Sequence, residues 1–113
     1  MELVTLKQVC ASTGISRRAI QGYEKAGLVH SYEKNKYGHL LYDRKTVERI
    51  EKVRLYQQLG FEVKEIRKII DAPAIILKSA LEEKVQLLKQ NMELENQLLL
   101  KTQKMIEALS DAE

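Results

Sequence analysis

Residues 13–27 read Thr-Gly-Ile-Ser-Arg-Arg-Ala-Ile-Gln-Gly-Tyr-Glu-Lys-Ala-Gly, and their reading decides the fold. Gly14, directly after Thr13, suits the left-handed stop that closes a short helix, because it carries no Cβ to clash. Ser16 is an N-cap: its hydroxyl oxygen accepts a backbone N–H that the first helical turn leaves without a partner. A second helix then runs from about Arg17 to Ala26, and Gly27 ends it. Upstream, Thr5-Leu6-Lys7-Gln8 is a capping box, and Leu6, Val9 and Cys10 share one face of the helix it opens. Two short helices thus meet across a few residues containing a Gly, the pattern of a helix-turn-helix.

Downstream the periodicity changes. Val29, Tyr32, Tyr37, Leu40, Leu41 and Tyr42 favour extended structure, and Lys34-Asn35-Lys36-Tyr37-Gly38 is polar with a Gly, so residues 28–42 read as a β-hairpin with a basic tip. Asp43 caps a third helix, about Arg44 to Leu59, whose apolar stripe is Val47, Ile50, Val53 and Tyr56. Gly60 ends it. Phe61 starts a short fourth helix with Val63, Ile66, Ile69 and Ile70 apolar. Asp71-Ala72-Pro73 breaks that helix, with Pro73 at the first turn of a fifth.

From Ala74 to about Leu109 nothing interrupts a helix. Leu81, Val85, Leu88, Met92, Leu99, Ile106 and Leu109 recur in alternating steps of four and three, a heptad seam interrupted by Glu95 and Thr102. Leu77, Leu87, Leu94, Leu98 and Met105 widen it. A lone rod this apolar needs a partner helix, and the chain holds no second long one. Pairing with a second copy through residues 74–109 supplies it; the alternative is folding back on the N-terminal part, which is far shorter than the rod. The fold class is therefore mainly α. Residues 1–71 form a winged helix-turn-helix domain and residues 72–113 a coiled-coil dimerisation helix.

Charge is divided along the same boundary. Residues 1–70 hold fourteen Lys/Arg against eight Asp/Glu, a net of +6, while residues 71–113 hold five against eight, a net of −3. The first part is the one suited to a polyanion. No apolar run approaches the roughly 20 residues of a membrane span, and no secretory n- and h-region opens the chain. One Cys makes no internal disulfide, so a reducing, cytoplasmic location is expected. Cys10 reads as a buried, inert thiol. No phosphate-cradling Gly loop, metal constellation or nucleophile–base pair is present, so neither an enzyme nor a bound cofactor is expected.

The residues also resemble a family. Gly14-Ile15-Ser16 with Ala19-Ile20, Tyr23-Glu24-Lys25 and Gly27-Leu28-Val29 is similar to the recognition helix of MerR transcription regulators and the turn after it. Gly38 and Tyr42-Asp43 resemble the family's wing, and Leu59-Gly60-Phe61 with Glu65-Ile66 its second helix pair. The resemblance covers residues 4–70 closely and the rest by architecture. It implies a short form with no separate effector domain after the helix, a homodimer whose paired helices run antiparallel, and promoter DNA distorted between the polymerase-contact elements. RNA polymerase is then a further partner. Soft-metal sensing is not expected, because the cysteines that such members carry near the dimer helix are missing. Two departures stand out. The family's Arg and second aromatic before the Tyr-Glu pair are Gln21 and Gly22 here, and its Tyr-Arg pair after the wing Gly is His39-Leu40. Those two arginines contact DNA in the family, so each subunit loses two cationic donors. Gly22 inside a helix costs about 1 kcal/mol relative to Ala, and a compensating close approach of another backbone is expected.

For site residues, Arg17 and Arg18 open the recognition helix, where Arg reads guanine edges or binds phosphate bidentately. The alternative is a solvated helix start, but the helix dipole disfavours cations there unless an anion is present. Gln21, one turn on, either pairs with adenine or is inert. Tyr23 either donates its hydroxyl to a phosphate, packs its ring in the core, or does both. Lys34, Lys36, Tyr37 and His39 at the hairpin tip suit phosphate or minor-groove contact, against an ordinary solvated turn. Arg44 and Lys45 stand as lesser candidates for backbone contact. The function expected is a sequence-specific transcription regulator that binds a pseudo-palindromic promoter in double-stranded DNA. An architectural, nucleoid-associated DNA binder and a coiled-coil adaptor without DNA binding are the alternatives.

Overall fold

In the computed structural model, residues 2–112 are described. Strand β1 (Val4–Thr5) leads into α1 (Leu6–Thr13). Next come α2 (Arg17–Lys25), β2 (Glu33–Lys34), β3 (Leu40–Tyr42), α3 (Arg44–Gln58), α4 (Val63–Ile69) and α5 (Ala74–Asp111). The chain divides into two compact units, one ending at Ala72 and the other beginning at Pro73.

Helix starts in the first unit are set by short side chains that satisfy orphan N–H groups. Thr5 and Gln8 form the reciprocal box at α1: the Gln8 N–H donates to Thr5 Oγ1 at 3.2 Å, and the Thr5 N–H to Gln8 Oε1 at 2.8 Å. Ser16 Oγ accepts from Ala19 N–H at 3.1 Å, and Asp43 Oδ1 from Thr46 N–H at 2.8 Å. Gly14 closes α1 at φ 74°, a conformation that a Cβ would strain. All three caps agree with the sequence reading.

The sheet is wider than expected. Three antiparallel strands lie in the order β1-β3-β2, with Val4 opposite Tyr42, Thr5 opposite Leu41, Glu33 opposite Leu41 and Lys34 opposite Leu40. Strand β1 has no signal in the sequence, since two residues carry no period to read. Strand β2 covers only Glu33 and Lys34: Val29 is buried before the hairpin begins, and Tyr32 and Tyr37 lie outside the strands and are exposed. Helix α4 begins at Val63 rather than Phe61. Phe61 is instead buried edge-on against Tyr56, with ring centroids 6.1 Å apart, and Glu62 takes the cap position.

The core lies wholly in this first unit. Val9 of α1, Ile20 and Tyr23 of α2, Tyr42 of β3, Ile50, Val53 and Tyr56 of α3, and Ile66 and Ile69 of α4 are buried, together with Ile15, Leu28, Val29, Phe61 and Ile70. Val47, expected in the α3 stripe, is only half-buried. Arg49 ties three segments. Its Nε donates to the Leu28 carbonyl at 2.5 Å, and its two terminal nitrogens donate to the Asp71 carboxylate at 2.8 Å each. That fork holds α3 to the turn after α2 and to the end of the unit.

Helix α5 is 38 residues, about 57 Å at ~1.5 Å per residue, and buries none of them. Pro73 is its cap residue, where a missing N–H costs nothing. Leu81 is half-exposed, and Val85, Leu88, Met92, Leu99, Ile106 and Leu109 are exposed. Among the described residues no helix is long and apolar enough to cross a membrane.

Candidate nucleic-acid interface

The alternation of roles on α2 begins with burial. Ile20 and Tyr23 face the core, so Arg17, Arg18, Gln21 and Lys25 are left exposed on the outward side. Thr13 fixes the turn into the helix: its hydroxyl donates to the Val9 carbonyl at 2.8 Å and accepts from the Ile15 N–H at 3.1 Å. Two phenols then tie α2 to its neighbours. Tyr23 donates its hydroxyl to Gln57 Oε1 of α3 at 2.6 Å, and Tyr42 of β3 donates to Glu24 Oε1. Tyr23 has only one O–H, so its donation to a phosphate would have to replace the bond to Gln57.

Arg17 and Arg18 stand in the first turn of α2, which holds no acidic residue. None of the ion pairs Arg44–Glu48, Arg49–Asp71 and Lys78–Glu82 involves these two arginines. Two unneutralised cations at the positive end of a helix dipole are unfavourable in the free protein and become favourable when an anion arrives. The one carboxylate on α2, Glu24, is turned to Tyr42 and half-buried.

The fold brings part of the hairpin to this helix. Arg17 and Gln21 of α2, His39 and Leu40 of the hairpin, and Thr5, Leu6 and Lys7 line one groove of about 510 Å³. Lys7 is not singled out by the sequence. Its signal is weak, a single cation after a cap, and only the packing of α1 beside α2 puts it with Arg17. The hairpin tip is tied down by Asn35, whose side-chain oxygen accepts from the Tyr37 N–H at 2.9 Å and the His39 N–H at 3.0 Å. Gly38 N–H closes the turn onto the Asn35 carbonyl at 3.0 Å. Lys36 Nζ lies 5.1 Å over the Tyr37 ring, and that ring is 6.4 Å from the His39 ring. Lys34, Lys36, Tyr37 and His39 are all exposed, with Tyr37 at 71%.

Residues 4–73 match the family model described as MerR HTH family regulatory protein. The chain belongs to the MerR family. A curated relative, the nodulation protein NolA of Bradyrhizobium sp. (strain NC92), is 34% identical over 64 residues, which are 57% of this chain and 27% of that protein. The chain spans about a quarter to a third of the length of the NolA relatives it matches. Two solved structures share the fold. The N-terminus of MtaN, the Bacillus subtilis multidrug transporter activator, superposes with a TM-score of 0.72 at 22% identity, covering 91% of this chain and 97% of that one. HiNmlR, a MerR family regulator lacking the sensor domain and bound to promoter DNA, gives 0.70 at 23% identity, covering 86% and 79%. The family model is one of regulatory proteins, in keeping with the expectation of a regulator rather than an enzyme.

One expectation for this MerR domain is corrected by the geometry. Cys10 is half-buried rather than buried. Gly22 meets no close backbone of its own chain: a Cβ built there has nothing within 4 Å. Its helix penalty is therefore not offset by packing inside the domain. Among the described residues no three His, Cys, Asp or Glu side chains gather as a metal ligand set would.

Proposed function

We propose that this MerR chain is a sequence-specific DNA-binding transcription regulator, acting in the cytoplasm as a homodimer on a pseudo-palindromic promoter. The observation that carries this reading is the outward face of α2, where Arg17, Arg18, Gln21 and Lys25 stand exposed, with Arg17 and Gln21 sharing a groove with His39. Helix α2 enters the major groove with Arg17, Arg18 and Gln21 at base edges and phosphates. Lys34, Lys36, Tyr37 and His39 contact the flanking backbone, and Lys7 joins them from α1. Tyr23 contributes through its buried ring and, on release from Gln57, through a phosphate bond. The paired α5 helices, running antiparallel, set the half-site separation. Distortion of the duplex between the half-sites, offset by contacts from both subunits, presents the promoter to RNA polymerase.

The test separates base reading from phosphate binding. Arg18→Ala and Lys36→Ala are titrated against matched and scrambled duplexes at several salt concentrations. Arg18→Ala should cost about 1–3 kcal/mol per half-site and relax preference at one position of each. Lys36→Ala should weaken all sequences alike and make the salt slope shallower by about one per contact removed. An Arg18→Ala variant with unchanged affinity and preference would defeat the assignment of α2 as the reading helix.

A further inference from the structure

Gly22 occupies the middle of α2, where Gly is about 1 kcal/mol worse than Ala. Nothing inside the protein explains it: φ is not left-handed, and a Cβ would stand in open space. Arg18, Gly22 and Lys25 succeed one another at steps of four and three, so they form a single row along the exposed side of the helix. Gly22 lies in an open surface depression of about 680 Å³, lined by Arg18, Gln21, Gly22, Glu24 and Lys25. A cation stands at each end of it. Its one carboxylate, Glu24, has an oxygen bonded to the Tyr42 hydroxyl.

We infer that Gly22 is a close-approach position, a notch between Arg18 and Lys25 in which a sugar–phosphate segment of the duplex lies against the bare helix backbone. The inference rests on the DNA-binding reading and adds to it a specific steric requirement. Two features favour a phosphodiester as the occupant. The row has a positive charge at either end and no side chain between, which suits an anion crossing the helix. A purely apolar partner, by contrast, would bury Arg18 and Lys25 without compensation. A helix that lacks a side chain where Ala would stabilise it is poorer as a free protein and better as a surface for a backbone to touch.

The experiment uses the full chain and a duplex selected by the wild-type protein from a randomised pool, with a scrambled duplex beside it. Gly22→Ala and Gly22→Leu are compared with wild type for thermal stability and for DNA affinity, and Lys25→Ala for its salt slope. Gly22→Ala should melt at a higher temperature and yet bind DNA about tenfold more weakly. Gly22→Leu should bind more weakly still. Both losses should be equal on selected and scrambled duplexes, since the contact is to the backbone. Lys25→Ala should make the salt slope shallower by about one per contact removed. A Gly22→Ala protein that binds as tightly as wild type overturns the inference while leaving DNA binding intact. So does a loss confined to the selected sequence, which would make Gly22 a base-reading position. A wild-type protein that binds no duplex overturns the DNA-binding reading and this inference together.

Discussion

Tyr42 shows how one side chain serves both the core and the candidate interface. It is fully buried, and its hydroxyl donates to Glu24 on α2, eighteen residues earlier in the chain. Burial first, and the neighbouring Glu24 carboxylate second, push its phenol well above the ordinary value near 10. The folded protein therefore holds this proton more tightly than the unfolded chain does. Its contribution to stability is complete below about pH 10 and is lost as the pH climbs from there toward the raised folded value. Tyr42→Phe should cost roughly 1.5–3 kcal/mol at neutral pH, because a hydrogen bond to a charged, half-buried acceptor disappears. Urea unfolding at neutral pH and above pH 10 checks both parts. A variant whose stability falls with alkaline pH as steeply as that of wild type would show that Tyr42 is not the titrating group. Neither this pair nor Tyr23–Gln57 is legible in the sequence, since the partners lie 18 and 34 positions apart and nothing local links them. The outward set Arg17, Arg18 and Gln21 is legible, because burial of Ile20 and Tyr23 at helical spacing leaves those positions no other side to face.

The elements divide according to the range of the interactions that make them. The starts of α1, α2 and α3, unlike that of α4, are readable from short polar side chains whose caps close over three residues: Thr5 with Gln8, Ser16 with Ala19 and Asp43 with Thr46. Strand β1 is not, because its only support is pairing with β3, nearly forty residues on. The shared groove has the same cause: Lys7, Arg17 and His39 meet only after the hairpin folds back beside α1 and α2. The caps can be tested singly. Thr5→Ala removes the acceptor for the Gln8 N–H and half of the reciprocal box, and should cost about 1 kcal/mol. Because Thr5 also pairs with Leu41, α1 and the sheet should loosen together, seen as faster amide exchange in both. Asp43→Ala should destabilise α3 in a pH-dependent way. The Thr46 side chain and N–H hold the Asp43 carboxyl below the usual carboxylate range. Its help is thus present above that range and lost as the pH falls through the lowered folded value. The difference between wild type and Asp43→Ala should therefore shrink in acid; a difference that stays constant down to low pH would argue against the cap.

At the scale of the whole molecule, the physical problem is α5. A helix of 38 residues with none buried cannot be held by its own side chains, since isolated helices draw little stability from propensity alone. Its seam is apolar and exposed, with Met92 at 64% and Leu88 at 43%. In the proposed homodimer, a second copy pairing through residues 74–109 would cover that seam with its own, knob into hole. The two interruptions differ in chemistry. Thr102 donates its hydroxyl to the Leu98 carbonyl at 2.7 Å, so its polar atom is satisfied within the helix and its methyl is free to face a partner. Glu95 carries a carboxylate at a seam position, where its desolvation opposes pairing. Two substitutions on one stripe should therefore act in opposite directions. Leu88→Asp exchanges an apolar contact for a charge in each subunit. Losing the burial alone amounts to roughly 1.5–3 kcal/mol per Leu, or about 3–6 kcal/mol per dimer. The dimer Kd should rise about a hundredfold or more. Glu95→Leu should lower it by completing the seam. Sedimentation equilibrium over a concentration series measures both, with circular dichroism to report whether α5 stays helical when the partner is lost. DNA binding by Leu88→Asp should weaken in step with dissociation, since each half-site would then be held by one subunit alone. A wild-type chain that is monomeric at micromolar concentration, or a Leu88→Asp chain that dimerises as wild type does, would show that the seam is covered by something other than a second copy.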